Sequence, residues 1–203
     1  DDPEFRYRLH ELLGVVWLLA GRFRAAADHF EISRQVGESE GSPLLLALGL
    51  RHLCLALCWI EPREALALLD EAEALNRDLN LAPGIGQCVT ARAVCGIGTM
   101  PRAEVDVLLA DADSTFLRAG YVDDALGPVA LRVLAAAAAG DDELALERRA
   151  ELADRSEGRR ARTWLAAADA WTDHVGAFDG PTWPQGQDAA YDDWHAALTR
   201  RAD

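Results

Sequence analysis

Four cysteines would carry the most specific chemistry of this sequence if their side chains came together. Cys54 and Cys58 are four residues apart on one predicted helix, and Cys88 and Cys95 lie on a later one. Four thiolates could hold a zinc ion. The spacings are those of neither a zinc ribbon nor a zinc finger, however, and a free cysteine is often a small buried residue. We therefore predict no metal site and no cofactor.

Three arginines are candidates for an anion site. Arg51, Arg92 and Arg132 recur once in each of three predicted first helices, so their guanidinium groups could converge on an anion. The alternative is that each arginine is solvated or paired with a carboxylate of the same chain, which is the commoner arrangement.

The remaining polar residues indicate no catalytic reaction. The five histidines are scattered without metal-ligand spacing, and many aspartates cluster at predicted helix ends, where they act as caps. Paired acids for hydrolysis would have to converge from different elements, and no pattern indicates that they do. The glycine-rich stretches 84–86 and 96–98 do not follow a strand, so neither is a dinucleotide-binding fingerprint. We predict that the chain is not an enzyme and has no catalytic residues.

The composition excludes several classes of partner. The formal net charge is −14, whereas a surface that grips nucleic acid or anionic lipid needs a basic patch. The apolar run from Leu12 to Ala20 is too short to span a bilayer, and no signal peptide is evident. The chain also begins at Asp1 without methionine. We therefore expect a piece of a longer cytoplasmic protein that makes no direct contact with nucleic acid or membrane.

Helical periodicity runs along most of the chain and is broken by glycine or proline at regular intervals. We predict four helical hairpins within residues 1–158, at about 5–35, 44–79, 87–118 and 125–155. Residues 159–203 are predicted to form a C-terminal cap with helices at about 160–174 and 187–200. No strand-like alternation survives, so the predicted fold class is all-α, a right-handed α-solenoid of helical hairpins with a C-terminal helical cap.

The second helices of these hairpins carry an internal repeat. Ala26, Ala65, Val105 and Ala145 follow one another at separations of 39, 40 and 40 residues. A bulky residue comes four positions later and, in the first three copies, a small one comes seven positions later, which lets two helices approach around a central knob. These later positions are Phe30 and Ser33, Leu69 and Ala72, Leu109 and Ala112, and Arg149 and Leu152. Arg149 departs from the pattern, as expected near the end of a stack.

The first hairpin resembles a tetratricopeptide repeat. The resemblance rests on Leu13, Gly14, Trp17, Gly21, Phe23, Ala26 and Phe30. A period near 40 is similar to that of the repeats in the sensor regions of large bacterial signal-transduction ATPases. These include the LuxR-type and maltose-regulator-type transcription factors and the antibiotic-pathway regulators of actinobacteria. A short tail segment, Asp179–Trp183 followed by Asp188, Ala189 and Trp194, also resembles the LuxR-type members.

The resemblance implies a ligand groove on the first helices. Carrying the family's groove positions onto this sequence gives a surface that is almost wholly apolar after the first hairpin. The candidate residues are Arg8, Glu11, Val15, Leu18, Leu50, Cys54, Leu57, Cys58, Val89, Ala93, Ile97, Ala130 and Leu134. Arg8 and Glu11 are the only charges among them, so the first hairpin is expected to form the polar lip of the groove.

Several occupants of such a groove remain open. It could receive an amphipathic helix or apolar peptide from a partner, or a small apolar ligand. It could also be filled by the chain's own Trp183, Tyr191 and Trp194 or by a second copy, or its residues could simply be core. The favoured function is a non-catalytic sensor module of a bacterial, actinobacterial transcriptional regulator acting in signal transduction. The alternatives are a free-standing scaffold or homodimerisation domain, and a helical-repeat carrier of small molecules or enzyme.

Overall fold

The computed structural model describes residues 2–155, 164–165 and 167–169. These residues contain helices and no strand, which confirms the all-α fold class. Eight long helices follow one another in the described part, and residues 164–165 and 167–169 are helical as well. The eight are α1 Pro3–Leu19, α2 Phe23–Ser39, α3 Pro43–Leu57, α4 Pro62–Asp78, α5 Ala82–Gly96, α6 Arg102–Arg118, α7 Val122–Ala138 and α8 Asp142–Arg155.

Short turns of similar backbone geometry connect these helices. After α1, Gly21 adopts a φ of 69°, and Arg22 N–H donates to the Trp17 carbonyl at 2.8 Å, which satisfies a carbonyl of the last helical turn. Left-handed residues likewise follow α2, α4, α5, α6 and α7. In α1–α4 and in α6–α8, connections this short force consecutive helices to run antiparallel, so that successive helices pair as helical hairpins.

The repeat pattern of the second helices coincides with their buried face. Eleven of its twelve positions are at most 1% exposed, and only Arg149 is partly exposed. The small residues let a neighbouring helix approach, and the bulky residue between them fills the space that remains. The structure is therefore that of a helical repeat, as the spacing predicts.

The chain divides into two compact units, Asp1–Cys95 and Gly96–Asp203. In the first unit, Gly14 of α1 lies against the Phe30 ring of α2, where a Cβ at position 14 would come within 2.5 Å of Phe30 Cε1. Gly49 of α3 packs equally closely on the α2 backbone at Arg34. Buried Asn76 of α4 donates to the Ala47 carbonyl of α3 at 3.4 Å. Small residues at two contacts and one buried amide thus bring α1, α2, α3 and α4 together.

The second unit is held by its own contacts. Helix α7 packs on both α6 and α8. Arg155 of α8 donates two hydrogen bonds to the Asp113 carboxylate of α6, at 2.7 and 2.9 Å. This bidentate geometry is the strong form of an arginine–carboxylate pair.

Some helices are longer than the sequence predicts. Helix α2 continues to Ser39, through residues expected to be a connector, and α5 begins at Ala82, where residues 81–86 were expected to be a loop. The first turn of α5 contains proline and glycine, which favour a loop in the sequence-based prediction. A helix nevertheless tolerates proline at its start. The predicted capping helices at 160–174 and 187–200 lie largely or wholly outside the described residues, as does the boundary at 158/159.

Among the helices of the described residues, none combines the length and the apolar character that crossing a membrane requires.

A candidate binding cleft between the first two hairpins

The four cysteine side chains are all buried, and all four are thiols outside any disulfide. Burial raises the pKa of the Cys95 thiol to about 11 and that of the Cys88 thiol to about 12, and it raises those of Cys54 and Cys58 further. The thiols are therefore protonated at neutral pH and behave as small apolar side chains. Within the described residues, no three His, Cys, Asp or Glu side chains are arranged to hold a metal ion.

Two of the three recurrent arginines pair within the chain. Arg92 donates to Asp70 at 2.8 Å and to Glu73 at 3.3 Å, and the Arg132 guanidinium lies 3.6 Å from the Glu151 carboxylate. The alternative in which these arginines pair with carboxylates of the same chain therefore holds for both.

Most of the predicted groove residues are buried. Those on α3, α5 and α7, together with Cys58 and Ile97 just after α3 and α5, are at most 6% exposed. They comprise Leu50, Cys54, Leu57, Cys58, Val89, Ala93, Ile97, Ala130 and Leu134. Such burial matches the alternative in which these residues are core, and a ligand-binding role for them stays a prediction. The tail residues Trp183, Tyr191 and Trp194 lie outside the described residues.

The four candidates on α1 are placed differently. Arg8 is exposed, and Glu11, Val15 and Leu18 are partly exposed. Arg8 and Glu11 both line an open cleft of about 870 Å³ in the first unit. The only two charged residues of the predicted groove thus both line this open cleft.

The cleft lies between the first turns of α1 and the first turns of α3. Its apolar wall consists of Leu12 of α1 with Leu44, Leu45 and Leu48 of α3. The N-caps Asp2 and Ser42 hold the starts of both helices, since Asp2 accepts from Glu4 N–H and Ser42 accepts from Leu45 N–H. The remaining lining residues are Pro3, Glu4, Tyr7, Arg8, Glu11 and Glu40.

The rim of this cleft is acidic. Four carboxylates line it, those of Asp2, Glu4, Glu11 and Glu40, against the single guanidinium of Arg8. Arg8 is already paired with Glu4 at 2.6 Å. The cleft therefore presents apolar surface under a negative potential, which attracts cations.

Tyr7 forms the floor of the cleft. Its side chain is 2% exposed, and its hydroxyl is buried. Burial, reinforced by the charge of the Glu11 carboxylate and by a hydrogen bond to it, raises the pKa of the Tyr7 hydroxyl above its ordinary value. The hydroxyl is therefore protonated at neutral pH.

Tyr7 and the leucines of the wall are not among the groove residues predicted from the sequence. Tyr7 lies one helical turn before Glu11, and both cleft-forming helices begin with an N-cap followed by proline, at Asp2–Pro3 and Ser42–Pro43. That repeated start could have indicated that the two helix beginnings lie side by side.

Behind the cleft, His52 of α3 is held neutral. Burial, together with the Arg51 charge, lowers the pKa of His52 from its ordinary value of 6.5 to about 3. The Glu11 carboxylate, 3.6 Å from His52 Nδ1, does not compensate for these effects. The Phe30 ring packs on the imidazole with centroids 5.2 Å apart.

Because of His52, we expect the folded chain to lose stability in acid. The unfolded chain takes up a proton on His52 near pH 6.5 and the folded chain does not, so the free energy of unfolding falls as pH drops below 6.5. We expect a loss of about 1–2 kcal/mol between pH 7 and pH 5 in urea titrations. His10, whose pKa is lowered by burial and by His29, adds to the same trend. The His52→Gln variant should lose much of this slope, and an unchanged slope would contradict the assignment.

No family model matches this chain, and comparison with curated proteins and with solved structures found no match either.

Proposed function

We propose that this chain is a non-catalytic binding module that takes a basic, partly apolar peptide segment in the cleft between α1 and α3. The observation that carries the proposal is the lining of the cleft, a leucine wall beneath four carboxylates. Lysine or arginine side chains of the ligand would meet the carboxylates, and aliphatic side chains would meet the leucines.

The ligand chemistry follows from the lining of the cleft. A small, wholly apolar ligand would leave the carboxylates without a counter-charge. A peptide with basic side chains supplies one, and its extended backbone suits an open cleft better than an enclosed cavity. The resemblance of the first hairpin to a tetratricopeptide repeat supports the same class of ligand.

The wider role we propose is that of a sensor in a bacterial transcriptional regulator, acting in the cytoplasm. Binding would shift an equilibrium between two states of the larger protein, because the ligand binds one of them better. The period near 40 and the LuxR-like tail segment support this context. The reading frame of the parent gene tests it: an ATPase or DNA-binding segment is expected there, and its absence would contradict the regulator role while leaving peptide binding intact.

Fluorescence anisotropy with a labelled peptide of alternating leucine and lysine tests the binding itself. We expect saturable binding that weakens with salt, and no binding of the leucine–glutamate counterpart. Glu11→Gln should weaken binding about fivefold, because it removes one of the four carboxylates that line the cleft.

A matched variant serves as the control. Glu64→Gln makes the same change at an exposed glutamate of α4. It should bind the peptide as the wild type does. Equal affinity for the two peptides, or binding that Glu11→Gln leaves unchanged, would overturn the proposal.

A further inference from the structure

Two histidines that are distant in the sequence meet where α1 contacts α2. His10 of α1 and His29 of α2 are 19 residues apart along the chain, and their Nδ1 atoms lie 2.9 Å from each other. The ring centroids are 5.1 Å apart, with an angle of 42° between the ring planes. One Nδ1–H therefore donates to the other Nδ1. Both residues are partly exposed, so the pair borders solvent.

The separation of these two nitrogens also suits a shared metal ion, since imidazole nitrogen is a ligand of copper, nickel and zinc. Two nitrogens about 2.05 Å from one ion lie about 2.9 Å apart when the angle at the metal is about 90°, and about 3.35 Å apart at a tetrahedral angle. A right angle is typical of the tetragonal coordination of Cu(II) and Ni(II), whereas zinc prefers a tetrahedral arrangement. The pair thus fits Cu(II) and Ni(II) better than zinc.

The protonation state of the pair is compatible with ligation. Burial, the neighbouring His29 and the charge of Arg6 all lower the pKa of His10 from its ordinary value of 6.5. His10 is therefore neutral at pH 7, as a metal-binding imidazole must be. The ring that donates the hydrogen bond moves its proton from Nδ1 to Nε2 when both Nδ1 lone pairs bind the ion. This change of tautomer releases no net proton.

We propose that His10 and His29 form a bidentate site for a tetragonal divalent ion, Cu(II) or Ni(II), at the contact between α1 and α2. No third His, Cys, Asp or Glu of the described residues completes a ligand set with them, so water fills the remaining positions. Arg6 lies one helical turn before His10 and opposes the bound cation, which keeps the affinity moderate.

A bound ion ties α1 to α2. The unfolded chain does not hold two imidazoles that are 19 residues apart in this geometry, so the ion binds the folded chain preferentially and stabilises it. Neither histidine lines the cleft between α1 and α3. The metal site therefore stands independently of the proposed peptide binding, although it fastens the helix that forms one wall of that cleft.

Isothermal titration calorimetry with nickel chloride tests the site. The wild type should bind one Ni(II) per chain saturably, and zinc chloride should bind more weakly. His10→Gln and His29→Gln should each abolish the saturable heat, because either variant leaves a single imidazole. His52→Gln is the matched control, since it removes another imidazole of the first unit and leaves the pair intact. It should bind Ni(II) as the wild type does.

Pulsed electron paramagnetic resonance with one equivalent of Cu(II) identifies the ligands. The spectrum of the wild type should show two coordinated imidazoles, and that of each pair variant at most one. Ni(II) should also raise the melting temperature of the wild type and of His52→Gln, and not that of the pair variants. If the wild type gives no saturable heat, the two histidines form only a hydrogen bond and the proposal is wrong. Saturable binding or a two-imidazole spectrum that persists in His10→Gln or His29→Gln contradicts it equally.

Discussion

Replacing Phe30 with alanine is expected to lower the free energy of unfolding by about 3–5 kcal/mol, the range found when a buried phenylalanine is truncated. The side chain is 0% exposed and fills the space that Gly14 of α1 leaves open. Its ring also packs on His52 of α3. Removal would therefore leave a cavity where three helices meet, and helices with short connections can close it only partly.

Urea titration followed by far-ultraviolet circular dichroism measures this loss. Phe5→Ala makes the same change at a residue that is largely exposed, and it should cost less than about 0.5 kcal/mol. A loss of under about 1 kcal/mol for Phe30→Ala would mean that α1, α2 and α3 do not pack around this ring.

The second large effect is expected from Leu57→Glu. Leu57 lies at the end of α3 and is 3% exposed. A glutamate there must either bury a charge without a partner or take up a proton, and both cost several kcal/mol. We expect the first unit to unfold, with a marked loss of helix content.

Leu66→Glu on α4 is the matched control, since Leu66 is 40% exposed and a glutamate there remains hydrated. It should keep the helix content and melting temperature of the wild type within a few degrees. If Leu57→Glu instead stays folded, position 57 lies on an accessible surface, and the apolar groove implied by the tetratricopeptide resemblance becomes the better description of α3.

These two variants also separate what could be predicted from the sequence from what could not. Phe30 is identifiable as a core residue from its place in the small–large–small pattern, because a bulky residue between small ones on a helix face is a packing signal. Leu57 lies on a helix that is apolar nearly all round, with Leu50, Leu53 and Cys54 also buried. On such a helix, periodicity alone does not distinguish a core face from a groove.

The candidate site shows the same division. Arg8 and Glu11 were found through the family's groove positions, and both line the cleft. Tyr7 was not found, because a tyrosine on an amphipathic helix is ordinary. What marks it is that its side chain is buried and also lines the cleft, and that depends on how α3 is placed beside α1.

The sequence by itself determines which stretches are helical and the spacing of the repeat, because these depend on local rules: apolar periodicity, capping side chains, and residues that accept a positive φ. Only the tertiary structure decides which apolar faces are covered. The outer face of α1, with Phe5, Leu9, Leu12, Val16 and Leu19, has the same spacing as the face of α3 that contacts α2 through Gly49, His52 and Trp59. In the described structure α2 packs on the second of these faces and not on the first, and that packing is set by contacts between elements distant in sequence.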